Sequence, residues 1–206
     1  MESRLDLHML TPADWRVLRA ARLLALHNSP HAFTSTYARE AGWSKPEWRR
    51  LFDSATWIVA RETQKVVGLA RSVGEPEHAT RHVESIWVAP THRRRGVLRA
   101  LLQALAEMER GMGVTDLLLW VLEDNYAAQR AYEALGFEPT GERQPLADFG
   151  RYERRLRLVL GRLQDSEPTA RCLGVDLSST KLGERPGFQL QEIHRLAGVA
   201  QIIDAV

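Results

Sequence analysis

Three consecutive arginines, Arg93, Arg94 and Arg95, stand immediately before Gly96, and an apolar helical pattern begins directly after it. Guanidinium groups pair with phosphate oxygens, and a glycine lets the backbone approach a ligand closely. The free N–H groups and the macrodipole at a helix N-terminus favour negative charge. Together they predict a turn that holds a pyrophosphate. A β-prone run containing Val83, Ile86, Trp87 and Val88 leads into the turn through Pro90, and Leu98, Leu101, Leu102 and Leu105 follow at helical spacing. The expected unit over residues 83–102 is therefore strand, basic turn, glycine, helix. The rival use of the arginines, a nucleic-acid patch, lacks interleaved aromatics, and the net charge of the chain is only +2.

A second constellation lies downstream. Residues 117–122 form a continuous apolar run of strand length, as suits a strand buried on both faces. Asp124 or Asn125 can cap the helix that follows, whose inner stripe is Ala128, Ala131, Tyr132 and Leu135, and Gly136 supplies the left-handed stop.

In this order and at this spacing the two blocks resemble the GNAT superfamily of acetyl-CoA-dependent N-acetyltransferases. The family's pyrophosphate motif is Gln or Arg, two residues, Gly, one residue, then Gly or Ala. It falls on Arg93, Arg94, Arg95, Gly96, Val97 and Leu98, with Leu98 standing where the family has a small residue. Val88-Ala89-Pro90 matches the strand end before that motif, and Asn125, Tyr132 and Leu135-Gly136-Phe137 match the family's second block. The resemblance covers about residues 5–160.

It implies acetyl-CoA as co-substrate and calls for no metal. The cofactor contacts carried over are Ile86, Trp87 and Val88 at the strand end, Arg93 through Arg99 at the turn and first helical turn, and Asn125, which reaches the pantetheine amide or caps its helix. A backbone N–H near Val88, where two parallel strands splay, polarises the carbonyl. Tyr132 is the candidate acid: a phenol with a pKa near ~10 is protonated at neutral pH and can donate to a departing thiolate. Glu84 is the candidate base, directly or through water, and strand alternation places it on one face with Ile86 and Val88. His78 and His82 are alternatives by pKa. Against these stand plainer readings: a buried tyrosine in a satisfied hydrogen bond, and an exposed strand glutamate paired with an arginine. The implied reaction moves an acetyl group directly onto a primary amine. The alternative, motivated by Leu98, is a catalytically weak CoA-binding regulatory protein. Amino acid, polyamine, peptide N-terminus, protein lysine and antibiotic all stay open as acceptors.

The elements needed to position these residues can be read in order. Residues 5–10 form a strand, and Thr11-Pro12 opens a helix running from Asp14 to about Leu26, with Leu18, Arg22 and Leu26 on overlapping faces. An aromatic segment over 31–52 packs into the core and, by the resemblance, makes one wall of the acceptor site. Residues 57–61 and 65–73 form a hairpin with a bulge at Gly68, and 138–144 with 151–160 form a final antiparallel hairpin. The fold class expected is α/β: a mixed, mostly antiparallel central sheet flanked by helices, with splayed parallel strands at the cofactor site. Residues 1–160 make the domain and 161–206 an extension, in which Leu190, Ile193, Leu196, Ala200 and Ile203 trace one amphipathic helix.

Composition agrees with a globular protein: 44% hydrophobic and 26% charged residues, enough to bury a core without approaching a membrane span. A single cysteine, Cys172, excludes an intramolecular disulfide or a thiolate metal cluster. The first ten residues lack a signal-peptide core, so cytoplasm is the expected compartment, with an amine as partner, neither nucleic acid nor membrane, and a homodimer left open.

Overall fold

Strand patterning and helix caps build a seven-stranded sheet in the computed structural model, which describes residues 5–74, 79–146 and 150–161. Strand β1 (Leu5–Leu10) leads through a capping box, in which Asp14 accepts from both the backbone N–H (2.9 Å) and the hydroxyl (2.7 Å) of Thr11, into helix α1 (Trp15–Asn28). Two short helices follow, α2 (Tyr37–Ala41) and α3 (Lys45–Arg50), the second opened by a Ser44–Glu47 capping box. Next come strands β2 (Ala55–Glu62), β3 (Lys65–Val73) and β4 (Thr80–Val88), helix α4 (Val97–Gly111), strand β5 (Asp116–Leu122), helix α5 (Tyr126–Glu133), and strands β6 (Glu138–Leu146) and β7 (Arg151–Val159). The sheet order is β1-β2-β3-β4-β5-β7-β6, antiparallel throughout except for the β4–β5 pair. Among the described residues no helix is long and apolar enough to cross a membrane.

The two sheet faces carry separate cores. Ile58, Val83, Ile86, Val88, Leu117, Leu119 and Val121 meet α4 and α5 on one face. Trp57, Val59, Leu69 and Trp87 meet Leu18, Leu26, Phe33 and Trp48 from α1 to α3 on the other. Phe33, Trp48 and Phe52 of the aromatic segment thus pack into the core as expected, whereas Tyr37 is exposed. Gly68 does more than bulge the strand. A Cβ there would lie 2.8 Å from Leu101 and 2.9 Å from Val97, so the missing side chain is what lets α4 lie against β3. The register does shift beside it, skipping Val67 between the Ala60–Gly68 and Arg61–Val66 pairs.

The chain order matches the sequence expectation, and so does the left-handed Gly136 after α5 (φ 89°). The final two strands pair with each other, but β7 rather than β6 adjoins β5. The expected tail helix, Cys172 and His78 lie outside the described residues.

One carboxyl in this frame lacks a cation. Glu153 on β7 is buried, accepts from Gln144 Nε2 at 3.1 Å through one oxygen, and has no partner for the other among the described residues. Burial outweighs that hydrogen bond and pushes its pKa above the ordinary 4.5. The native state therefore holds the proton to higher pH than the unfolded chain, and stability falls as pH rises from 4.5 through the raised value. Glu153→Gln keeps an acceptor for Gln144 and removes this penalty. It should raise stability near neutral pH by about 1 kcal/mol and lose its advantage in acid; a melting temperature lowered at neutral pH would contradict this account.

Candidate active site

The basic turn is built by strand end, 3-10 turn and helix start in succession. After Val88 the chain makes a 3-10 turn over Pro90–His92, then passes left-handed residues Arg94 (φ 59°) and Gly96 (φ 79°) into α4. Gly96 is the N-cap and supplies no side-chain acceptor, so the N–H groups of the first helical turn are left for water or a ligand. The predicted cations divide. Arg95 and His92 both bind Glu62, at 3.1 and 2.8 Å, tying the turn to the end of β2. Arg93 donates to the Val88 carbonyl at 3.3 Å and to Ser29 at 3.4 Å, which clamps the strand end. Arg94 and Arg99 are exposed and form no ion pair among the described residues.

Leu98 is half-buried and packs against the α4-side core, so its side chain turns inward. Ile86, Trp87, Val88 and Val97 are also core residues, each at most 3% exposed, which leaves their backbone rather than their side chains for a ligand. Leu98→Ala should cost about 2 kcal/mol, the low end for a leucine truncation, while affinity for acetyl-CoA stays nearly unchanged. Tighter binding with an unaltered melting temperature would mean that Leu98 crowds the site instead.

Beside this turn the sheet opens. Strands β4 and β5 pair at Thr80–Asp116, Arg81–Leu117 and His82–Leu118 and then part, although β4 runs on to Val88 and β5 to Leu122. The splayed parallel pair expected for the cofactor site is thus present. On α5, Tyr132 is fully buried in the α4-side core, its ring 5.6 Å from that of Phe137. Its hydroxyl has no hydrogen-bond partner among the described residues. Burial pushes the phenol well above its ordinary value, so it stays protonated and keeps an O–H to donate. Asn125 caps α5, its side-chain oxygen accepting from the Ala128 N–H at 3.1 Å.

The face assigned to Glu84 needs correction. Leu69 pairs with Trp87 and Arg71 with Glu84, so Ser85 and Ile86 together oppose one residue of β3. Ser85 takes up the extra length with a left-handed backbone (φ 53°). Alternation fails across this bulge. Ile86 and Val88 face α4, whereas Glu84 is buried on the α1 side, where Arg71 donates to its carboxylate. The arginine pairing considered for Glu84 is therefore real, but it is buried rather than exposed. His82 meets Arg155 Nη2 at 3.1 Å.

A second buried pair adjoins the first, and sequence reasoning missed it. Arg22 forks onto Glu40 with contacts of 2.8 to 3.2 Å and sends its third nitrogen to Ser85 Oγ at 3.1 Å. Both arginines stack on rings, Arg22 at 4.6 Å from Phe33 and Arg71 at 5.2 Å from Trp57. Arg22, Glu40, Arg71 and Ser85 line one small cavity with Trp43 and Trp57. The available signal was an arginine on the apolar stripe of Leu18 and Leu26; its partners, 18 and 63 residues away, were not readable.

The sequence profile of the Acetyltransferase (GNAT) family matches residues 21–137, which hold the turn, the splayed strands and Tyr132. Human N-acetyltransferase 8 is 29% identical over 93 residues, 43% of this chain and 40% of that protein, so the match spans about two fifths of the relative's length. Among solved structures, a GNAT-family acetyltransferase from Streptococcus pneumoniae superposes with a TM-score of 0.60 at 17% identity, covering 77% of this chain and all of that one. The ribosomal-protein-S18-alanine N-acetyltransferase of Escherichia coli gives 0.59 at 20% identity, covering 80% of this chain and 99% of that one. These two likenesses concern the fold.

Proposed function

The chain belongs to the GNAT acetyltransferase family, and we propose that it moves the acetyl group of acetyl-CoA directly onto a primary amine. The observation that carries this reading is the parting of β4 from β5 immediately beside a helix N-terminus that has no side-chain cap. The residues present fit the co-substrate: Arg94, Arg99 and the first N–H groups of α4 hold the pyrophosphate, and the unpartnered Tyr132 hydroxyl meets the sulfur. When bound, acetyl-CoA supplies the activated acyl group. Glu84 accepts a proton from the incoming ammonium, directly or through water. A backbone N–H near Val88 donates to the carbonyl oxygen as charge grows there. Tyr132 donates a hydrogen bond to the sulfur as the C–S bond breaks, the departing sulfur takes up the one proton that nitrogen sheds as the C–N bond forms, and Glu84 returns its own proton to solvent.

An amine acceptor is supported by the names of the relatives, which specify N-acetylation, and by that of the Escherichia coli structure, whose acceptor is an alanine of a ribosomal protein. The test is release of free thiol from acetyl-CoA in the presence of an amino acid, a polyamine, a peptide with a free N-terminus, a lysine peptide or an aminoglycoside. Acetyl-CoA binding without thiol release from any of these would overturn the proposal.

The reading assigns the whole reaction to residues 1–160. Both backbone groups of Leu160 are engaged, its N–H with the Thr115 carbonyl at 2.8 Å and its carbonyl with Arg110 Nε at 2.7 Å, which fastens the end of β7. A chain ending at Gly161 should therefore fold and keep acetyl-CoA affinity; aggregation or lost binding would show that the tail completes the core or the site.

A further inference from the structure

Charge is seldom buried as densely as it is on the α1 side of this sheet. Arg22, Glu40, Arg71 and Glu84 are each at most 4% exposed, and all form ion pairs. Such pairs recover their dehydration cost only with good geometry, and removing one partner strands the other. Their arrangement is more specific than stability requires. Arg71 holds Glu84 from the neighbouring strand, one register step from the bulge. Arg22 reaches the bulge itself: while two of its nitrogens bind Glu40 on α2, the third donates to Ser85 Oγ. Ser85 is a left-handed, non-glycine residue at the point where β4 changes the facing of its side chains. A conformation of that kind persists when its surroundings hold it there. The direction in which Glu84 leaves the strand is thus set by a bulge that a helix side chain fastens.

We propose that Arg22 and Ser85 are positioning residues for the Glu84 carboxylate: the guanidinium of α1 fixes the β4 bulge through the serine hydroxyl, and with it the placement of the base toward the acceptor amine. The proposal rests on the assignment of Glu84 as base. It gives α1 and α2 a part in the chemistry beyond packing, because the same guanidinium grips α2 through Glu40 and β4 through Ser85. A misplacement of about 1 Å can cost roughly a hundredfold in rate, so loosening the bulge should appear in kcat. The cofactor contacts lie on α4 and the turn and should be insensitive to it.

The test is a double-mutant cycle on full-length protein, using whichever amine of the panel supports wild-type turnover. Ser85→Ala removes only the hydroxyl and leaves the Arg22–Glu40 pair whole. It should lower kcat about tenfold, with the Kd of acetyl-CoA within about twofold of wild type. Arg22→Lys retains the charge facing Glu40 but cannot fork to both partners, and should lower kcat at least as far. If Arg22→Lys fails to fold, Ser85→Ala still decides. The discriminating measurement combines Ser85→Ala with Glu84→Gln. Positioning predicts a kcat no lower than that of Glu84→Gln alone, since no base remains to be placed, whereas general structural damage multiplies the two losses. Full kcat in Ser85→Ala, or multiplied losses in the double variant, overturns the positioning role. Full kcat in Glu84→Gln overturns instead the assignment of the base on which it rests.

Discussion

Replacing Gly96 by glutamate should abolish acetyl-CoA binding while the protein still unfolds cooperatively. Two consequences of the change separate cleanly. Gly96 has φ 79°, and any other residue there carries a left-handed backbone at a cost of about 1–2 kcal/mol. Space is not the obstacle, because a Cβ at this position meets nothing within 4 Å. The new carboxylate stands at the N-terminus of the 15-residue helix α4, where the macrodipole stabilises it by about 0.3–1 kcal/mol. Part of the strain is thereby offset, and the fold survives. The field that retains the carboxylate is the one a pyrophosphate would use, so the substitution fills the site with the wrong anion. A loss of affinity of 10²-fold or more, roughly 2.7 kcal/mol, is expected. Gly96→Ala carries the same backbone strain without the charge and should bind within a few-fold of wild type. Calorimetric titration giving Gly96→Glu an unchanged affinity would remove the pyrophosphate from this turn.

What the sequence made legible follows from how local each signal was. The turn from β4 into α4 was readable because its causes lie within some fifteen consecutive residues: proline, arginines, glycine, then leucines in helical register. The same holds for β5 and α5, and for the Thr11-Pro12 start of the first helix. Residue types there fix the backbone with little help from elsewhere. The face occupied by Glu84 was not readable, because alternation presumes an uninterrupted strand. The bulge at Ser85 inserts its extra residue only when β4 is laid against β3, and no glycine or proline marks it. The division of labour among the arginines was hidden for a similar reason. Arg95 is drawn to Glu62, 33 residues away, and Arg93 to Ser29, 64 residues away. Three adjacent cations of one type therefore have three different surroundings. The register of β7 between β5 and β6 likewise depends on which strands meet, and hairpin spacing alone does not determine it.

Tyr132→Phe should lower kcat by roughly 10²-fold, the scale of general-acid catalysis, and should leave the affinity for acetyl-CoA where it is. The structure supplies a second, independent expectation of opposite sign. The Tyr132 hydroxyl is buried and makes no hydrogen bond among the described residues, so the folded chain gives up its hydration without return. Removing it should leave stability unchanged or slightly raised, although the ring contact with Phe137 remains. A tyrosine kept for packing alone would show neither effect on turnover, and one kept for a structural hydrogen bond would lose stability on becoming phenylalanine. Only a hydroxyl held ready for a partner that arrives with the substrate loses activity while the fold gains. Burial also constrains the form of the catalysis. Because the phenol is pushed well above its ordinary value, the tyrosinate is disfavoured, and a strong hydrogen bond to the departing sulfur is favoured over complete loss of the proton. Turnover of Tyr132→Phe should accordingly recover when the leaving thiol is made more acidic than CoA, since a better leaving group needs less help. The measurement is kcat under conditions where chemistry limits the rate, with melting temperature read in parallel. Wild-type kcat, or a melting temperature lowered by several degrees, would return Tyr132 to the core and leave the sulfur without its donor.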